Sequence, residues 1–211
     1  MIKKNLKILI VTSITTLLPI LVGVMLWNQL PQALPTHWDI NGEVDGWSSK
    51  TFAVFAMPLI LLALQWAVAF VTLSDPKKQN HSQKIISLAF WLVPVLSIVL
   101  STVTYVSAMG NTVLAEVAFP VFTGLIYVII GNYMPKCKQN YTIGIKLPWT
   151  LHNEENWNKT HRLAGWVWMI GGIIITVFGF LKFLWIIFPV TFVMALLPVI
   201  YSFILHKKST N

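Results

Sequence analysis

Six windows of about twenty residues, at 8–27, 52–73, 85–109, 112–130, 163–181 and 183–205, are apolar and almost free of charge. No soluble fold can hide that much apolar surface, and a bilayer core about 30 Å thick takes on the order of 20 such residues per helix. Hydrophobic residues make up 56% of the 211, and charged residues only 10% against roughly a quarter in a soluble domain. The expected fold is therefore an all-α integral membrane protein with six transmembrane helices. The first window follows a basic N-terminus, as in a signal peptide, but it ends in Trp27-Asn28-Gln29 with no small-residue cleavage site. It is expected to be a retained helix.

The last two windows together hold one charge, Lys182, and a single helix across them would be about 64 Å long, twice the core. A turn at residues 179–182 is expected, with Gly179 supplying its backbone freedom and Lys182 reaching the headgroups. With six spans and a cytoplasmic N-terminus, Lys50 and Lys182 alone of the 15 Lys and Arg residues fall outside, which satisfies the positive-inside rule at every loop. Both termini are thus expected inside. The formal charge of +8 is explained by topology and calls for no direct nucleic-acid binding. Cys137 is the sole cysteine, so neither an intramolecular disulfide nor a multi-cysteine metal site can form.

Two connections are long and polar. The extracellular one, residues 28–51, contains LPTHWDINGEVDGWSSK, where Asn41-Gly42 and Asp45-Gly46 are turn dipeptides and Trp38 and Trp47 suit a membrane interface. It reads as a compact, hairpin-like cap in which Asp39 and Asp45 make turn hydrogen bonds. Two further readings stay open: His37, Asp39, Glu43 and Asp45 gathering a divalent cation, or these groups and the tryptophans meeting an extracellular peptide. H-x-D-x-x-x-E-x-D matches no specific metal motif, and no metal or other cofactor is expected.

The cytoplasmic connection, residues 131–162, divides at Pro148. Its first half has no helical period and reads as a looping segment with Lys136, Lys138 and Lys146 turned to anionic headgroups. Its second half reads as an interfacial amphipathic helix capped by Asn153, with Glu154 and Glu155 in the first turn and Trp157, His161 and Ala164 on one stripe. His152 and His161, nine residues apart and with no HExxH pattern, do not make a zinc site. Gln65 is expected to hydrogen-bond between helices, and Glu116, about one turn inside the fourth span, to reach the outer interface.

Pro35, His37, Trp38, Gly42, Asp45, Gly46, Trp47, Ser49 and Lys50 resemble a small domain of unknown function found at the N-terminus of many bacterial membrane proteins. Asn132, Tyr133, Pro135 and Lys136, then Asn140, Tyr141, Gly144 and Lys146, Pro148 and Trp149, and Trp157, His161 and Arg162 resemble the signature of the SdpI immunity-protein family. Leu147 and His152-Asn153 depart from its pattern. The resemblance implies a multi-pass protein of the bacterial plasma membrane that is not an enzyme. It implies protection against a secreted peptide toxin, and sequestration of a cytoplasmic transcriptional repressor at the membrane. The extracellular contacts would be His37, Trp38, Asp39, Glu43, Asp45 and Trp47, and the signature residues would meet the regulator or membrane lipids. The chain is expected to divide into a two-helix unit, residues 1–73, and a four-helix SdpI-like unit, residues 74–211. A small transporter or channel is the alternative; against it, the spans lack a buried acid or base for a proton relay and show no inverted repeat.

Overall fold

Among the described residues, six helices are long and apolar enough to cross a bilayer, at Asn5–Met25, Phe52–Leu73, Gln83–Ala108, Ala115–Lys136, Glu154–Phe180 and Leu184–Ser209. The structure is a computed structural model that describes residues 2–111 and 113–210; Thr112, the expected first residue of the fourth span, lies outside the described residues. The elements are α1 (Ile2–Met25), β1 (Ala33–Trp38), β2 (Val44–Ser49), α2 (Met57–Leu73), α3 (Gln83–Ala108), α4 (Val113–Tyr133), α5 (Pro148–His152), α6 (Glu154–Phe180) and α7 (Ile187–Thr210). They pack as two units, Met1–Leu73 with Ile86–Phe119, and Ser74–Ile85 with Pro120–Asn211.

In the first unit, polar groups tie apolar helices together. Gln65 of α2 is completely buried; its side chain accepts from the Thr16 hydroxyl and donates to the Thr12 hydroxyl at 2.6 Å, as the sequence led us to expect. Ser97 and Tyr105 of α3 donate to the carbonyls of Thr16 and Pro19 at 2.8 and 3.1 Å. Where water is absent, an unpaired polar group costs several kcal/mol, so these pairs fix which helix faces meet. Leu30, Leu34, Ala53, Val54 and Tyr105 form one apolar cluster, and Leu9, Ala69, Ile86 and Phe90 another. A π-helical turn, Phe52–Ala56, precedes α2, and the Met57 amide bonds back to the Phe52 carbonyl. Pro58 follows and has no N–H to offer the Val54 carbonyl, so the widened turn sits where a regular α-helical bond cannot form.

In the second unit, α4 and α6 meet through glycines. Gly124 faces Gly172 and Gly131 faces Gly165, in opposite chain directions, so the two helices are antiparallel. A Cβ on Gly172 would stand 2.5 Å from the Gly124 carbonyl oxygen, and one on Gly165 would stand 2.9 Å from that of Gly131. Only glycine allows this approach, the usual device for packing helices without a hydrophobic driving force.

The turn after α6 falls where the charge argument requires, but glycine does not make it. Lys182 takes the left-handed conformation at φ 58°, while Gly179 is helical and packs against Pro120. The Lys182 amide bonds to the Gly179 carbonyl and the Phe183 amide to the Phe178 carbonyl, and the rings of Phe178 and Phe183 lie 5.9 Å apart. This is a Schellman cap, complete with its apolar contact, with lysine where glycine is usual. Left-handed backbone costs a residue bearing a Cβ about 1–2 kcal/mol. Lys182→Gly is therefore expected to raise the thermal midpoint in detergent and Lys182→Val to lower it.

Candidate functional site

The first candidate region is the β1–β2 hairpin. Its strands pair antiparallel, with Pro35 opposite Trp47 and Trp38 opposite Val44, and the register slips on both sides of His37. The turn is held by Asp39, whose carboxylate accepts from the amides of Asn41 and Glu43 at 2.9 and 2.8 Å. Gly42 completes it at φ +82°, so close to Glu116 at the start of α4 that a Cβ would stand 2.6 Å from the Glu116 Cγ.

The hairpin has two unlike faces. On one, Trp38 packs edge-on against Phe119 at 5.0 Å and Leu34 is wholly buried in the apolar cluster. Lys50, just past β2, is buried too; its ammonium donates to the Trp27 carbonyl at 2.9 Å and lies over the Trp27 ring. On the other face, Trp47 is 61% exposed and the His37 imidazole pairs with the Asp45 carboxylate across the strands. Asp45 therefore does not make the expected turn bond, because its strand position aims it at His37. Gly46 makes room for that pair: a Cβ there would press on the His37 Cβ at 2.8 Å. Glu43 is exposed, and Asp39 is committed to the turn. The four side chains do not converge, and among the described residues no group of three His, Cys, Asp or Glu is placed to hold a metal ion. Trp38→Ala is expected to destabilise the fold by about 2–3 kcal/mol. Trp47→Ala should leave thermal unfolding in detergent unchanged.

The second region is the signature loop between α4 and α6. Asn140, wholly buried, organises its first half. Its Oδ1 accepts from the amides of Thr142 and Ile143 at 2.8 and 2.7 Å, and its Nδ2 donates to the carbonyls of Lys138 and Ile143 at 2.8 and 2.9 Å. Gly144 follows at φ +121°, packed on His161 so tightly that a side chain there is excluded twice, by backbone angle and by contact. His161 Nε2 accepts from the Ile145 amide at 3.0 Å, so its proton is on Nδ1, 2.8 Å from the Trp157 carbonyl. Trp157, stacked on His161 at 4.0 Å, donates from Nε1 to the Cys137 carbonyl at 2.7 Å. Burial pushes the Cys137 thiol up to about 11, out of the reactive range.

The second half begins with Pro148 in the first turn of the short helix α5. Trp149 donates to the Ser202 hydroxyl at 3.1 Å and stacks on His206. Asn153 caps α6 through the Asn156 amide at 2.9 Å, despite the departure from the family pattern there. The stripe of Trp157, His161 and Ala164 is present, but it is buried in protein, and the amphipathic segment is the opening of the continuous 27-residue α6. Trp157 is thus a packing residue instead of an interfacial anchor. His152 lies on α5, so the two histidines are on different helices. Of the remaining signature residues, Asn132 accepts from the Lys136 ammonium at 3.4 Å, and Tyr133 lies under that ammonium. Pro135 packs on Gly165. Lys136, Lys138, Tyr141, Lys146 and Arg162 are exposed.

The connector between α2 and α3 drew no functional reading from the sequence, yet it buttons onto this loop. Asp75 is buried; it accepts from the Thr142 hydroxyl, from the Tyr141 amide at 3.0 Å and from His81 Nε2 at 3.2 Å with one oxygen, and from the Lys77 amide at 2.7 Å with the other. Burial raises the Asp75 carboxyl, but these four hydrogen bonds outweigh it and hold the group below its ordinary value. The Lys77 ammonium reaches Gln139 Oε1 and the Tyr141 ring, and Asn80 Nδ2 donates to the Gln139 carbonyl at 2.7 Å. One signal was available: Asp75-Pro76 is a turn dipeptide, and Asp75 is an acid inside a basic connector. Most signature residues therefore fix the shape of a loop, and the basic ones stay exposed on it.

A family model described as the SdpI/YfhL protein family matches residues 136–202, and one described as a domain of unknown function, DUF1648, matches residues 14–62. Immunity protein SdpI of Bacillus subtilis (strain 168) is 28% identical over 200 residues, covering 95% of this chain and 92% of that protein. No solved structure matches. The resemblance read from the hairpin and the loop is borne out, since the two models fall on those segments and the relative extends nearly end to end.

Proposed function

We propose that this SdpI-like, multi-pass protein of the plasma membrane is an immunity protein that acts by binding a secreted peptide toxin. The observation that carries the reading is the near full-length similarity to an immunity protein. Within it, the hairpin offers one face on which His37, Asp45 and Trp47 are exposed while the opposite face is spent on packing. An exposed tryptophan beside a carboxylate suits a cationic, amphipathic peptide. From the charge pattern we read this hairpin as outside and the exposed basic residues of the signature loop as inside.

On the inner side, Lys136, Lys138, Tyr141, Lys146 and Arg162 would meet anionic headgroups and the acidic face of a repressor. The helix α4 contributes Phe119 to the support of the hairpin and Tyr133 to the signature loop, so it is the element we assign to coupling the two. A toxin can drive that coupling only if it binds two helix arrangements unequally.

The test is survival of a toxin-sensitive bacterium that expresses the chain, challenged with a panel of secreted peptide toxins. Protection against one of them is expected. Unchanged killing by every peptide, at full membrane level of the protein, would refute the immunity reading.

A further inference from the structure

Two cavities adjoin on the helix pair α6–α7, and neither belongs to the hairpin or to the Asp75 clasp. The first, about 230 Å³, carries the charged groups of Glu155, Lys159 and Lys208 and is lined besides by Asn153, Asn156, Leu205 and Ser209. The second, about 440 Å³, is a groove lined by apolar side chains that include Leu163, Phe192, Leu196, Ile200 and Ile204, with the ring of Tyr201. Helical spacing sets their linings end to end. Phe192, Leu196, Ile200 and Ile204 recur every fourth residue along one row of α7, and the next position in that row is Lys208. On α6 the row through Lys159 continues to Leu163 in the same way.

The dimensions choose the occupant. From Ile204 to Phe192 is twelve residues, about 18 Å along the helix, close to half of a bilayer core about 30 Å thick. A groove one leaflet deep that ends at two ammonium groups, opposed by the one carboxylate of Glu155, fits a single acyl chain carrying an anionic headgroup. Glu155 bonds to Lys159 at 2.6 Å, so the headgroup competes with that carboxylate for Lys159. A second copy of the chain would place the same two lysines against themselves, which like charge opposes.

We propose that α6 and α7 hold one anionic phospholipid, with its headgroup phosphate between Lys159 and Lys208 and an acyl chain along Leu196 and Ile200. The site does not depend on the toxin reading. It is tested by native mass spectrometry on the full chain, reconstituted with phosphatidylglycerol or phosphatidylcholine and released from detergent. One phosphatidylglycerol per chain is expected to survive conditions that strip phosphatidylcholine. Two lysines at a headgroup, at about 1 kcal/mol each, amount to about thirtyfold, so the K159Q/K208Q variant should retain about thirtyfold less. E155Q should retain more, and I200W, which fills the groove, less. Equal retention of the two lipids, or no change in K159Q/K208Q, would show annular lipid only and overturn the proposal. So would disulfide-linked dimers of L196C formed in the membrane, where Cys137 is buried and leaves the new thiol as the reactive one.

Discussion

Gly172→Leu is expected to abolish accumulation of folded protein in the membrane. A Cβ at that position meets the Gly124 carbonyl oxygen at 2.5 Å and the Val128 amide nitrogen at 2.8 Å, both of them backbone atoms that cannot swing aside. To admit leucine, α4 and α6 must separate, which also opens the Gly131–Gly165 contact one turn pair away and loosens Pro135 on α6. The loss belongs to the overpacking class and should exceed about 4 kcal/mol, a large part of the total stability of a small domain. Gel filtration of a fluorescent fusion should show an aggregated peak, whereas Val177→Leu on the exposed side of α6 should run as the parent does. A monodisperse Gly172→Leu protein with parental thermal stability would show that the glycine contact does not hold these helices together.

Asp75→Ala is expected to cost about 4 kcal/mol, because it strands His81, the Thr142 hydroxyl and the amides of Tyr141 and Lys77 without their shared acceptor. Native hydrogen exchange should then report faster exchange at residues 139–145, with α1 and α2 little affected. The same carboxylate gives the loop a pH dependence of defined sign. Its folded value lies below the ordinary 3.8, so its contribution is fully present above about pH 5 and is lost as pH falls through the depressed folded value. Protection of residues 139–145 should decline as pH falls below about 4. In Asp75→Ala that decline should be absent.

The helices were legible because membrane solvent leaves one strong signal, long charge-free runs, and the charge split then required a turn near Lys182. The residue that makes the turn was not legible. Choosing Lys182 over Gly179 depends on the packing of Gly179 against Pro120, a contact between residues far apart in the chain. At the hairpin, Asn41-Gly42 marked the turn, but Asp45-Gly46 falls inside β2, and neither showed the faces, since strand register decides that Trp38 meets Phe119 and Trp47 stays exposed. In the signature loop, the basic residues showed where a surface would be. Burial of Asn140, Trp157 and His161 was hidden, because a polar residue that serves backbone groups carries no pattern of its own. Asp75 was missed for a related reason: its partners Tyr141 and Thr142 lie 66 and 67 residues away.

The central claim is that the exposed face of the hairpin meets a peptide toxin while its buried face only supports that surface. The most direct measurement is the dose of toxin that halves survival of a sensitive bacterium expressing Trp47→Ala or Asp45→Ala, normalised to the amount of folded protein in the membrane. The account predicts at least a tenfold loss of protection per folded molecule for Trp47→Ala, in the range of a binding hot spot of about 2 kcal/mol. Parental protection per folded molecule in both variants would contradict it.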